Sequence, residues 1–248
     1  MRRADTADLA GSTAVGSLVA FVLLTLVVTG RDGATLFGDT GLSTWSAVHR
    51  PAVALALARG VTYTGTGLVP YAVVVLAGVV LGRTARERVL RALACLGCLA
   101  AAQAVRYAVM TLVARPRPPV AEWATHASGW SFPSGHTTTS AVSGGLLVLA
   151  LLTRAPRAGR PLALVVGCWS VLVGLSRVYL GVHWFSDVLG GWLFALCWLS
   201  LTVHVVARFA PPARSSIPAL PSRPDALTTE ERRDDPHSRR KFPPQPPP

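Results

Sequence analysis

A chain of 248 residues that is 51% hydrophobic and only 15% charged has too little charged surface to clothe a soluble globule of that size. Its mean hydropathy of +0.44 places it among proteins whose solvent is the bilayer. A net charge of +12 would suggest nucleic acid as the partner of a soluble protein, but most of it lies in short loops and a terminal tail, where membrane topology accounts for it without a nucleic acid.

Apolar stretches at Thr13 to Gly30, Gly67 to Gly82, Ala92 to Ala114, Thr137 to Leu152, Leu162 to Leu180 and Val188 to Val206 each approach the length that crosses hydrocarbon. The fold predicted is all-α, a bundle of six transmembrane helices over residues 13–206, preceded by a cytoplasmic N-terminus over 1–12. "MRRADTADLA" before the first apolar run resembles the charged start of a signal peptide. The length of that run and the lack of a clear small-x-small cleavage site predict a retained helix.

Between the first and second spans, Ala52 to Ala58 is apolar but too short to cross, and Arg50 and Arg59 flank it. A short amphipathic helix along the interface is expected there, with Trp45, Tyr63 and Tyr71 at headgroup depth. After the sixth span the composition turns to proline and mixed charge, so residues 207–248 are expected to form a disordered cytoplasmic tail.

Arginine placement sets the expected orientation. Arg2 and Arg3 precede the first span, Arg83, Arg86, Arg88 and Arg91 join the second and third, and Arg154, Arg157 and Arg160 join the fourth and fifth. These segments and the basic tail fall on one side of a zigzag chain, which predicts a plasma-membrane protein with both termini cytoplasmic. The loops at 31–66, 115–133 and 181–187 then face outward. Cys95, Cys98, Cys168 and Cys197 all lie within spans, where they read as small packing residues, with neither a disulfide nor a metal expected.

Ionisable residues at membrane depth are functional candidates. Three clusters gather on the outward side: "RPRP" at Arg115 to Pro118, "PSGH" at Pro133 to His136, and "SRVYLGVHWFSD" at Ser176 to Asp187. Each alone has an ordinary reading, as a snorkelling arginine, a proline-initiated helix start or an interfacial histidine. Their convergence on one side argues for a shared site.

The combined chemistry suits a phosphate. Arg115, Arg117 and Arg177 offer permanently charged forks for phosphoryl oxygens. Ser134, Gly135 and the free N–H groups opening the fourth span offer an anion site aided by the helix dipole. His183 and Asp187, four apart, share a helical face, so the carboxylate can hold one ring nitrogen and leave the other as a nucleophile. His136, from a different span, can protonate the leaving oxygen. The same His183 and Asp187 spacing also fits metal ligands, but several cations and few acids around the clusters disfavour a divalent ion.

Taken in order, these residues resemble the signature of the type 2 phosphatidic acid phosphatase family, the lipid phosphate phosphatases related to vanadium haloperoxidases. That signature runs K-x6-R-P, P-S-G-H, S-R-x5-H-x3-D. "PSGH" matches in full, as do Ser176, Arg177, His183 and Asp187, and the resemblance extends over roughly residues 60 to 206. One position departs: with the R-P aligned on Arg117 and Pro118, Met110 stands where the family has lysine. Arg106, one turn earlier on the same face, is long enough to reach part-way to the gap, and Arg115 is the better-placed spare cation by sequence position.

The resemblance implies that His183 attacks phosphorus to give a phosphohistidine, that Asp187 orients it, and that His136 serves as acid and then as base. It implies that Arg117, Arg177, Ser134 and the Gly135 backbone stabilise the transition state, that no cofactor or metal is needed, and that vanadate inhibits. The expected substrate is a membrane lipid carrying a phosphate or diphosphate: a polyprenyl diphosphate, phosphatidic acid or phosphatidylglycerophosphate. Two alternatives remain: transfer of the phosphoryl group to an alcohol instead of water, and a catalytically weak lipid-phosphate binder or transporter on the same framework. Neither the oligomeric state nor the choice among the lipids follows from the residues.

Overall fold

The computed structural model describes residues 3–36 and 38–209 and contains no strand among them. Its helices are α1 (Arg3–Thr29), α2 (Asp39–Val48), α3 (Ala52–Thr64), α4 (Leu68–Leu81), α5 (Ala85–Val113), α6 (Gly135–Arg154), α7 (Arg160–Tyr179) and α8 (Phe185–Phe209), with one 3-10 turn at Val120–Glu122. In hydrocarbon every backbone donor needs an internal partner, which is why the apolar runs resolve into helices. Five of them, α1, α5, α6, α7 and α8, are individually long and apolar enough to cross a membrane. Helices α3 and α4 meet that requirement only as a pair, bent by 53° across a short break, which brings the candidate crossings to as many as six.

Helix α3 covers the apolar run where a short interfacial helix is expected, and it is longer than expected. The apolar run at Ala52 continues to Thr64, and the chain turns through Gly65 and Gly67 into α4. Gly67 has φ 63°, a region that L side chains rarely adopt, so the turn depends on glycine. Helix α2 is a second addition, since the outer segment gave no helical expectation around residue 39. The other limits shift modestly. Helix α1 begins at Arg3, inside the expected N-terminal segment, and α8 runs to Phe209, taking in the first three residues of the expected tail. The remainder of the expected tail, from residue 210, lies outside the described residues.

Helix α6 is the axis of the bundle: it packs against α7, α4, α8 and α5, while α1 lies along α8. Its sequence explains that position, because Thr137, Thr138, Ser140, Ser143 and Gly144 are small and buried. Small residues let helix backbones approach closely in a membrane, where apolar burial gives no net drive. Ser170 of α7 donates to the Ser140 carbonyl at 3.0 Å, and Gly78 of α4 lies against the backbone of α5 at Ala92, where a Cβ has no room. Large apolar side chains such as Leu18, Val22 and Leu26 of α1 are exposed, as a lipid-facing surface requires.

Polar contacts tie the two ends. At one end Arg154 donates to the Val80 carbonyl and Arg3 to the Val206 and Ala207 carbonyls, bringing together the end of α4, the end of α6, the start of α1 and the end of α8. At the other end the Ser134 N–H donates to the Asp187 carbonyl at 3.0 Å and the Ser131 N–H to the Arg115 carbonyl at 2.9 Å. These bonds pin the starts of α6 and α8 to the segment that follows α5. The four cysteines are free thiols, and Trp198 donates to Cys98 Sγ at 3.3 Å between α8 and α5.

Candidate active site

The tightest constellation surrounds His183, which precedes α8 and is 3% exposed. Its Nδ1 lies 3.4 Å from Asp187 Oδ2, and its Nε2 lies 2.9 Å from Arg117 Nη1. A guanidinium has only donors, so Nε2 is the acceptor and the ring proton resides on Nδ1, facing the carboxylate. Burial pushes the His183 pKa down to about 4, with Asp187 opposing that shift and Arg117 adding to it. The ring is therefore neutral near pH 7, with its lone pair on Nε2.

Asp187 is placed by its helix as well as by its partners. It sits in the first turn of α8, where the helix dipole favours a carboxylate, and its Oδ2 accepts from the Trp184 N–H at 2.8 Å. Ser131 donates a short hydrogen bond to the same oxygen, and Arg115 reaches Oδ1 at 2.7 Å. With both oxygens occupied, the carboxylate has no freedom to turn away from His183.

A cavity of about 720 Å3 opens beside these groups, and His183, His136, Gly135, Arg106, Arg117 and Arg177 all line it. His136 comes from the first turn of α6, and its ring makes no hydrogen bond to another described residue. Arg117 is half-buried and spends its donors on Gly129, Val182, Ser128 and Trp130 carbonyls in addition to His183. Arg177, 2% exposed, is held by Thr62 of α3 at 2.8 Å, yet its buried Nε has no partner. Arg106 also has a buried Nε without a partner, and a Cβ placed on Gly135 would lie only 3.4 Å from its Nη1. An unmet buried donor costs about 1–3 kcal/mol, so these two donors on cavity arginines favour an anionic ligand.

Residues 91–211 match the family model described as the PAP2 superfamily. Over those residues the chain belongs to that superfamily. It is 39% identical over 87 residues to phosphatidylglycerophosphatase B of Bacillus subtilis (strain 168), a stretch covering 34% of this chain and 42% of that protein. It is 36% identical over 140 residues to undecaprenyl-diphosphatase BcrC of the same organism, covering 54% and 66%, and 42% identical over 77 residues to undecaprenyl-diphosphatase of Sulfolobus acidocaldarius, covering 31% and 34%. The aligned stretches therefore span less than two thirds of those relatives. The solved structure of a transmembrane PAP2 type phosphatidylglycerolphosphate phosphatase from Bacillus subtilis shares the fold, with a TM-score of 0.68, 24% identity, and coverage of 82% of this chain and 99% of that one.

Within this PAP2 framework the expected residues divide. His136, Gly135, Arg117, Arg177 and His183 share the cavity, and Asp187 stands directly behind His183. Ser134 is buried at the start of α6, where its hydroxyl accepts from Thr137 at 2.9 Å, and it lies behind the cavity lining. Arg115 requires a correction. It is fully buried, and its five donors go to Gly33 and Ala34 carbonyls, Asp39, Ser186 and Asp187. It has no donor left for a phosphate, because two carboxylates hold it where the sequence suggested a free cation.

The place of the absent family lysine is also resolved. Met110 is buried on the cavity wall, and Arg106 folds over it with Nη1 3.4 Å from its sulfur. The cation that approaches Gly135 is thus Arg106. Sequence reasoning missed Asp39, Ser131, Ser186 and Thr62. An aspartate in the first turn of a helix was the one visible signal for Asp39, and only with α2 recognised.

Proposed function

We propose that this chain is an integral membrane phosphatase that hydrolyses a lipid phosphate or diphosphate through a phosphohistidine on His183, without a metal. The candidate lipids are a polyprenyl diphosphate, phosphatidic acid and phosphatidylglycerophosphate, and the names of the relatives favour the first and third. The observation that carries the reading is His183 itself: Nε2 is a free-electron-pair nitrogen facing a cavity walled by Arg106, Arg117 and Arg177, with its Nδ1 proton directed at Asp187.

In the first step Nε2 attacks the terminal phosphorus, an N–P bond forms and the P–O bond to the lipid's bridging oxygen breaks. His136, protonated as the anionic substrate enters, gives its proton to the departing oxygen, so the lipid leaves as the alcohol from a monophosphate or as the monophosphate from a diphosphate. The positive charge that grows on His183 is balanced by Asp187, and the equatorial oxygens meet Arg177, Arg106 and the N–H groups at the start of α6. Arg117 Nη1, now on Nε2, would turn to an incoming phosphoryl oxygen and so release the lone pair. In the second step neutral His136 takes a proton from water, the water oxygen attacks phosphorus, the N–P bond breaks, and inorganic phosphate leaves.

Metal independence is supported by charge. Asp187 and Asp39 are both engaged by Arg115, so the cavity wall presents cations rather than a carboxylate set for a divalent ion. The site lies at the end of the bundle opposite Arg83, Arg86, Arg154 and Arg157, a distribution of charge that by the positive-inside rule supports an outward-facing site and cytoplasmic termini. Purified protein in detergent, offered each of the three lipids, should release phosphate with and without chelator. Unchanged release from His183→Ala would contradict the mechanism.

A further inference from the structure

We infer that Asp39, carried by α2 outside the family-matched residues, is a positioning residue whose charge keeps the group behind His183 net negative. The inference rests on the reading of His183 as nucleophile and adds a requirement that this reading leaves unmet. Arg115 and Asp187 are in contact at 2.7 Å with both side chains 0% exposed. By themselves they form a neutral pair, so Arg115 would cancel the charge that Asp187 is to offer a positively charged phosphohistidine ring.

Asp39 removes that cancellation. Its Oδ2 lies 2.9 Å from Arg115 Nη2, and its side chain is likewise 0% exposed. The sequence Asp39, Arg115, Asp187 therefore carries one net negative charge, sealed from solvent and ending at His183. In such surroundings the charge is poorly screened, so its effect reaches further than that of an exposed pair.

The placement is specific. Asp39 Oδ1 accepts from the Ser186 N–H at 2.9 Å, while Oδ2 accepts from the Leu36 N–H at 2.9 Å and from Ser186 Oγ at 2.6 Å. Ser186 Oγ accepts in turn from Arg115 Nη1 at 2.7 Å, which forces its own proton toward Asp39. Every oxygen of Asp39 is thus engaged with Arg115 or with the backbone that precedes Asp187. A group present only to fill space would not need this set.

The charged and titratable groups that act on His183 are Asp187 of α8, Arg117 after α5, Arg177 of α7 and His136 of α6. None is altered by Asp39→Asn, which keeps the size of the side chain and removes its charge. With phosphatidic acid, phosphatidylglycerophosphate and a polyprenyl diphosphate each presented in detergent micelles, we expect at least a roughly tenfold fall in kcat with KM unchanged. The acid limb of kcat/KM should move to lower pH, because losing a negative charge disfavours the imidazolium form of His183.

Arg115→Gln should move that limb to higher pH, and adding Asp39→Asn to it should bring the limb back. This second pair carries the test if Asp39→Asn alone does not fold. A limb and a kcat that stay in place when the Asp39 charge is removed, or failure to fold in both backgrounds, would overturn the inference and leave Asp39 a structural residue. His183→Ala separates the two readings: if it releases phosphate like the wild type, the proposed reaction fails, and if it is inactive while Asp39→Asn matches the wild type, only the role of Asp39 fails.

Discussion

Arg115 and Asp187 form an ion pair of 2.7 Å from which solvent is excluded on both sides, 72 residues apart in the chain. Breaking a buried pair by removing one partner strands the other charge and costs about 3–5 kcal/mol. Arg115→Met should therefore lower thermal stability in detergent by that order and reduce phosphate release in proportion to unfolding. Arg117→Ala, a half-buried residue whose carbonyl partners are largely open to water, should lower the melting temperature less than Arg115→Met and lower the rate in folded protein. Comparing melting temperature with specific activity for the two variants checks the division between them.

Arg106 and Met110 make a second prediction. If Arg106 supplies the cation that the family's lysine supplies elsewhere, Arg106→Ala should reduce kcat/KM roughly a hundred- to a thousand-fold, the range seen on removing one donor from a charge-stabilising site. Met110→Lys in the wild-type background should add little, while Met110→Lys in Arg106→Ala should recover much of the loss. A large gain from Met110→Lys alone would show that Arg106 does not fill the position.

The pH dependence follows from His183. Its pKa of about 4 in the substrate-free protein means that Nε2 is unprotonated above that pH and blocked by a proton below it. The acid limb of kcat/KM, which reports the free enzyme, should lie near pH 4 and fall about tenfold per unit below it. An acid limb near the ordinary histidine value of about 6.5 would show that His183 is not held neutral by its burial.

Vanadate supplies a fourth test, since it adopts five-coordinate geometry about a histidine nitrogen. It should compete with substrate, and Arg177→Ala or Arg106→Ala should weaken it more than they raise KM, because transition-state mimics lose most when charge-stabilising donors are removed. Inhibition by vanadate that is indifferent to both substitutions would place its binding elsewhere.

Much of this site is legible in the sequence because its parts are local. "PSGH" predicts a helix start that carries a histidine, and the four-residue step from His183 to Asp187 predicts a ring held by a carboxylate, as found. The candidate crossings follow from apolar length, although the second expected one, at α4, meets the length for a crossing only together with α3, from which a glycine turn that hydropathy does not register divides it. What escapes is the role that depends on a distant partner. Arg115 reads as a free cation from its neighbours, and only its contact with Asp39, 76 residues away, shows it to be consumed. Thr62 holds Arg177 across 115 residues, again with no local pattern to announce it. Both partners come from α2 and α3, outside the residues that match the family model, so the motifs identify the reacting groups without showing what holds them in place.

The covalent intermediate tests the central claim most directly. Brief exposure of the purified protein to substrate labelled in its terminal phosphate, followed by alkaline quench and mass mapping, should find an acid-labile phosphohistidine at residue 183. The label should be absent from His183→Ala. Label at another residue, or steady phosphate release by His183→Ala, would contradict the account.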